Sequence, residues 1–365
     1  MKGQWIGTTT GDTEGQIIVN VDDRGSYYSG KAHLIPDNAS LLASSAFFNT
    51  KDKNNKFNFN ANIYPIDPRT GENCKWEQIP KSYLTGQYSK KAEVEGCFDD
   101  HTLEIKAKTD IELAIQAKII KKPYSEKSEL TSVTKKWDEY KEYVATLSGK
   151  KQLFRGQKKQ WKLRTAFHRK GRYDISRLIN DDIPRLQQYL SARTRHVFNL
   201  EILNERGAFY NLVQHHGYPT PLLDWTYSPY VAAFFAFRNV QKIEKDGFVR
   251  IFIFDKEKWA SEWNQVFNLD AACLHVSVIE FLAIENERLI PQQSATTITN
   301  VDDIESYIKA KEDKANCKYL TAIDISYKER NKIMEELGFM GITAGSMFPG
   351  LDGACEELRE KFFDV

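Results

Sequence analysis

The sequence predicts an α+β protein in two parts: an all-β N-terminal domain, either a sandwich or a small barrel, and then an α+β domain built on a core sheet. Three observations carry this. At 365 residues the chain exceeds one average domain. Short alternating segments broken by glycines run up to about residue 120. Beyond them, helical periodicities and near-continuous apolar strands take over. The division is expected as 1–122 and 123–365.

In the first part Gly7, Gly11, Gly15, Gly25 and Gly30 punctuate short segments such as 16–21 and the pair Tyr27-Tyr28. Asp22-Asp23 followed by Arg24-Gly25 supplies turn chemistry between them. Residues 56–63 alternate Phe57, Phe59, Ala61 and Ile63 with polar neighbours, and 101–107 do so with Leu103, Ile105 and Ala107. Residues 111–120 close the series. Alternation sets one side of each strand on a core and the other in water. Several short strands without long helices give the sandwich or barrel. No catalytic constellation appears here, so binding, sensing or assembly is the expected role.

In the second part Val133, Trp137, Tyr140 and Val144 recur at helical spacing, predicting an amphipathic helix over 130–146. Leu153-Phe154-Arg155 reads as a short strand, and 183–198 and 205–215 read as helices. Ser228-Pro229 places an N-cap and a first-turn proline ahead of 230–240, a helix apolar nearly all round and hence buried. Asp246-Gly247 turns the chain into 248–255, a near-continuous apolar strand covered on both faces. Residues 318–325 form another strand. Ser326-Tyr327-Lys328-Glu329 is a capping box opening a helix that ends at Gly338, and 354–363 is a last helix. No internal repeat or low-complexity tract is present.

Composition narrows the functional classes. Hydrophobic residues make up 41% and charged residues 28%, enough for a substantial core. With 51 basic and 50 acidic side chains the formal charge is +1, so no strong overall field points to nucleic acid. Cys74, Cys97, Cys273, Cys317 and Cys355 are scattered, without C-x-x-C spacing. That argues against a disulfide framework or a zinc site and fits a reducing cytosol. The start, Met1-Lys2-Gly3-Gln4-Trp5, lacks a signal core, and no apolar run approaches the roughly 20 residues that span a bilayer. A soluble, cytoplasmic protein is expected.

Three clusters are denser in chemistry than a core requires. The first is Phe154-Arg155-Gly156-Gln157, followed by Trp161 and Leu163. The second runs from Gln214-His215-His216-Gly217 through Thr220-Pro221-Leu222-Leu223-Asp224-Trp225-Thr226 into Ser228-Pro229 and Ala232–Phe235. The third is Phe348-Pro349-Gly350-Leu351-Asp352-Gly353-Ala354. In this order and spacing they resemble the FRG domain, named for its aromatic-Arg-Gly start. The middle cluster resembles that family's "QHHG-PT-LLDWT-SP" signature nearly letter for letter, and the resemblance extends over about 130–363. It departs at Pro221, where arginine is usual, and at Ser294 and Thr296, where Gly and Phe are usual.

The family name carries no agreed chemistry, so the residues must supply it. Arg155, at a strand end beside Gly156 and Gln157, presents a planar fork of donors suited to phosphate oxygens. It is equally suited to a buried ion pair with Asp224. Thr226 and Ser228 put hydroxyls at a strand-to-helix turn, where free N–H groups hold phosphate or ribose; plain N-capping is the simpler role for Ser228. Adjacent histidines on a helix point about 100° apart, so His215 and His216 do not readily share a metal, and no metal is expected. His215 is expected to hydrogen-bond within the signature turn, and Asp224 to pair with His215 or Arg155. Gly350-Leu351-Asp352-Gly353 reads as a turn.

Glu285-Asn286-Glu287-Arg288-Leu289-Ile290-Pro291 is similar to the "E-x-E-x-L-I-P" strand of ADP-ribosyltransferases whose site runs arginine, hydroxyl strand, glutamate. The order Arg155, Thr226/Ser228, Glu287 matches, and it implies a core sheet like theirs. The resemblance implies NAD as substrate, Glu287 stabilising an oxocarbenium-like state, and Glu285 on the same strand face orienting the acceptor. It also implies a protein or nucleic-acid acceptor and, by analogy, a toxin or phage-defence role. The competing expectation is a non-catalytic module that binds a nucleotide or nucleic acid.

Overall fold

The computed structural model describes residues 1–84, 88–147 and 151–363. The N-terminal part is a closed antiparallel barrel of eight strands in chain order. These are Gly3–Gly11 (β1), Gly15–Asp23 (β2), Tyr28–Pro36 (β3), Ser44–Asn49 (β4), Lys56–Pro65 (β5), Lys91–Phe98 (β6), Thr102–Thr109 (β7) and Ala114–Ile120 (β8). Of the two architectures expected, it is the barrel. Closure comes from β8 returning to β1 through Thr9, Thr10 and Gly11, which leaves no free sheet edge. Trp5, Val21, Leu103 and Ile119 are all but fully buried and form the core at one end of the barrel.

The second part is built on a seven-stranded sheet. Its strands are Ser132–Thr134 (β9), Gln152–Gln157 (β10), Leu222–Thr226 (β11), Phe248–Asp255 (β12), Val276–Ile279 (β13), Ser294–Thr299 (β14) and Leu320–Ser326 (β15). Their order is β13-β14-β11-β10-β12-β15-β9, and only the β15–β9 pair is parallel. The longer helices are Trp137–Ala145 (α1), Ile183–Leu190 (α2), Leu203–His215 (α3), Pro229–Phe237 (α4), Ile304–Ala315 (α5), Arg330–Phe339 (α6) and Leu351–Phe362 (α7). Strand β12 is covered on both faces, as its apolar run requires. Val249, Ile251 and Ile253 meet α1, α4 and α6, while Phe252 and Phe254 meet Trp259 and α5. No helix is long and apolar enough to cross a membrane among the described residues.

Four sequence expectations need correction. Residues 130–146 are not one helix: 132–134 are strand β9, and the helix starts at Trp137. The cause is Arg250, buried on β12 and paired with Asp324. Its guanidinium donates to Ser128 Oγ, the Leu130 carbonyl and Ser132 Oγ, which stretches this segment along the sheet edge. The 183–198 helix stops at Leu190, because Phe198 folds back into the core and its carbonyl accepts from Gln187 Nε2. Gly338 lies inside α6, which ends at Phe339 before Gly341 takes a φ of +75°. The last helix starts at Leu351, so the expected turn over 350–353 is instead a helix start.

The outer wall of β1–β3 docks on the second part. Asp22, fully buried, accepts from the Tyr173 and Asp174 backbone N–H groups and from Arg172 Nε. Lys31 Nζ, equally buried, lies 2.7 Å from Asp270 Oδ2 and 2.9 Å from Ser176 Oγ. Gln4 bonds the Asn300 carbonyl and the Asp302 N–H. Three buried histidines in and near this seam are neutral. Burial, with Lys31 adding to it, holds His33 down to about 3. Burial likewise takes His168 and His275 to about 4.

A depressed histidine pKa means that the unfolded chain takes up protons first as pH falls below its ordinary value of 6.5. Stability is therefore expected to be full above pH 6.5 and to fall by about 1 kcal/mol per buried histidine between pH 6.5 and 5.5. Urea denaturation at those two pH values measures it, and equal midpoints would contradict it.

Candidate functional site

The site begins with the pleat of β10. Phe154 belongs to the core beneath α4, and Leu153 to the opposite core. Period-two alternation then turns Gly156 toward α4 and Arg155 away from it. A Cβ at position 156 would stand 1.9 Å from the Ala232 carbonyl oxygen and 2.8 Å from the Ala236 nitrogen. Glycine is required here for helix-on-strand packing. Gly156, expected beside Arg155 at a ligand site, instead faces α4, whose backbone fills the space a side chain would take. Gln157 closes the strand opposite Arg250.

Strands β10 and β11 share a single registered pair, Phe154 with Thr226. The Arg155 guanidinium reaches across and donates from Nη1 to the Asp224 carbonyl. Its Nε is buried with no hydrogen-bond partner among the described residues. Burial lowers the guanidinium pKa to about 10; Asp224 opposes this and nearby Arg169 adds to it, so the group stays charged at neutral pH. The expected ion pair with Asp224 is thus a contact to its backbone.

Helix α3 brings His215 to the other side of Asp224. His215 Nδ1 lies 2.9 Å from Asn286 Oδ1. Asn286 Nδ2 donates to Asn211 Oδ1, and Asn211 Nδ2 to Thr296 Oγ1. Because the Asn286 oxygen is an acceptor, the ring proton sits on Nδ1 and the neutral tautomer leaves Nε2 bare. That Nε2 is buried without a hydrogen bond among the described residues, 3.9 Å from Asp224 Oδ1. Gln214 Nε2 donates to the same carboxylate oxygen and Gln214 Oε1 accepts from Thr220. Asp224 keeps 39% of its side chain exposed, so a ligand can reach it.

The other expected residues divide. Thr226 Oγ1 donates to the Gln292 carbonyl and accepts from the Ser228 N–H, tying β11 to the approach to β14. Ser228 Oγ accepts from Val231 N and caps α4. Both hydroxyls are engaged within the protein. Glu285 and Glu287 lie in turns, not on a strand, and both are exposed. Glu285 has a φ of +53°, and its carboxylate accepts from the His196 N–H. Turn hydrogen bonds such as Leu289 N to Asn286 O and Ser294 N to Leu289 O coil this stretch until β14 begins. The two glutamates therefore share no strand face.

The residue that this loop does bring to the site is the one between them. Asn286 is 5% exposed. Arg288 Nη1 donates to the His215 carbonyl, and its guanidinium lies 5.4 Å from the Phe348 ring centroid. Gln292 Nε2 donates to the Met347 carbonyl, 2.9 Å away. The third cluster thus meets the second. Sequence reasoning missed Asn286, Asn211 and Arg288. One available signal was that Asn211 and His215, four residues apart on α3, share a helix face.

Residues 150–245 match the family model of the FRG domain. The chain carries an FRG domain. The match includes Arg155, Gln214, His215, Asp224, Thr226 and Ser228, and is narrower than the expected 130–363; Asn286 and the Phe348 stretch lie beyond it. No curated protein and no solved structure matches the chain.

Replacing the FRG domain's Gly156 with alanine is expected to destabilise the fold by about 1–3 kcal/mol or more, since strand and helix must part. Urea melts compared with an Arg155→Gln protein measure this. A Gly156→Ala midpoint equal to that of the unsubstituted chain would show that packing is not the reason for the glycine.

Proposed function

We propose that the FRG domain binds the ribose-phosphate part of a nucleotide, NAD among the candidates, between Arg155 and His215. The observation that carries this reading is the pair of buried, unsatisfied nitrogens, Arg155 Nε and His215 Nε2, on either side of Asp224. Buried polar atoms are nearly always paired, so two orphans in one network call for a partner. One is a charged donor suited to phosphate oxygen. The other, beside a reachable carboxylate, suits a hydroxyl that donates to Nε2 or Asp224. A sugar phosphate offers both.

ADP-ribosyl transfer is the second reading. Asn286 and Arg288, on either side of Glu287, both bond His215, so the loop that carries this glutamate is tied to the network. The exposed, turn-borne position of Glu287 favours binding over transfer, because a carboxylate stabilises a developing cation best from a fixed, water-excluded place. Neither reading calls for a metal.

Calorimetric titration of the full chain with ribose 5-phosphate, AMP, ADP-ribose and NAD tests the proposal. At least one is expected to bind, Arg155→Gln to weaken it about 10- to 100-fold, and Glu287→Gln to leave affinity unchanged. Absence of binding by all four would overturn it. Nicotinamide release from NAD, lost in Glu287→Gln, would establish NAD cleavage instead, transfer if the ADP-ribosyl group is found on an acceptor and hydrolysis if it is found as free ADP-ribose.

A further inference from the structure

We propose that the interior of the N-terminal barrel is a binding site for one small, uncharged, apolar molecule about the size of a six-membered ring. A closed barrel of eight strands is at the size where side chains either fill the interior or leave room for one small ligand. Here the inward positions leave room. Ala32, Ala46, Ala61, Ala92, Ala107 and Ala117 come from six successive strands, β3 to β8, and all line one cavity of about 120 Å³. Register confirms that they share the inner face: Ala32 lies opposite Ala46, Ala61 opposite Ala92, and Ala32 opposite Val19, another lining residue.

The rest of the lining defines the ligand's chemistry. Ile17, Phe48, Phe57 and Phe59 supply apolar walls, with Phe59 stacked between the other two rings at 5.1 and 5.7 Å. None of the described side chains that line the cavity is charged. Few hydroxyls face in: Thr9 Oγ1 donates to the Thr13 carbonyl, Thr109 Oγ1 accepts from Leu113 N, and Ser44, two residues before Ala46, lines the cavity beside them. His33, Ser45 and Gln116 border the cavity in sequence, but alternation sends their side chains through the outer face of the wall. An ion entering this space would find no charged side chain, and a sugar little beyond the Ser44 hydroxyl to bond. Enclosed apolar cavities of about 150 Å³ take benzene-sized guests, and this one, at about 120 Å³, is near that size.

The cavity is also within reach of solvent. Leu34, Ile63, Val94, Ile105 and Ile115 line it and are only half-buried, whereas Trp5, Val21, Leu103 and Ile119 seal the opposite end. A guest therefore has a way in and a floor to rest on.

Ligand-observed NMR on the full chain, with benzene and 1-hexanol as probes, tests this. Both are expected to bind saturably at one shared site and to compete with each other. Ala61→Trp fills the cavity from β5, and Ala46→Phe does so from β4; each is expected to weaken both probes at least 10-fold while circular dichroism stays unchanged. Lys106→Gln, on the outer surface, is expected to leave affinity as it was. Either of two results overturns the proposal: no saturable binding to the folded, unsubstituted chain, or undiminished affinity in whichever filled variant folds.

Discussion

The contact on which the second part of the molecule depends is the seating of α4 on β10 at Gly156. A carbonyl oxygen of the helix lies where a side chain would begin, so the two elements approach as closely as backbones allow. This closeness fixes which way the strand's residues point. Phe154 joins the helix in one core, and Arg155 is turned toward Asp224. It also explains the composition of α4, whose contact residues Ala232, Ala233 and Ala236 are small and fully buried. Ser228 and Pro229 start the helix immediately after β11, so the strand carrying Asp224 and the helix covering Gly156 are set by one short turn. The arginine and the glycine of the family's motif thus serve opposite faces of one strand. The glycine packs, and the arginine is presented.

Much of this was legible before any coordinates. The Phe248–Asp255 run reads as a strand buried twice, and it is. Ser228-Pro229 reads as a helix start, and Ser228 caps. Where the reading failed, a distant partner had overridden a local pattern. Val133 has helical spacing with Trp137, yet it lies on a strand because Arg250 holds Ser128, Leu130 and Ser132 in line. The Glu285–Glu287 stretch looks extended in sequence, but a left-handed residue and a series of turn hydrogen bonds coil it. The orphaned nitrogens of Arg155 and His215 were illegible, since an unmet hydrogen bond is a property of surroundings and not of residue type.

The barrel shows the same division. Alternation in β5 and β7 is clean because their outer faces meet water. In β2 it is blurred, with Ile17, Ile18 and Val19 in succession. Ile18 and Asn20 face outward but are buried, and their neighbour Asp22 anchors the seam with the second part. A run of apolar residues within an otherwise alternating set is what a wall looks like when it is covered on both sides.

Strand β3 belongs to that wall. Lys31 projects into the seam, where Asp270 and Ser176 grip it, and the next residue, Ala32, looks into the hollow of the barrel. Adjacent residues of an extended chain move as one, so β3 cannot shift outward at Ala32 without carrying the ammonium of Lys31 with it. A swelling of the barrel by a few tenths of an ångström would be felt first as a push on a buried charge, the kind of group least able to yield without changing partners.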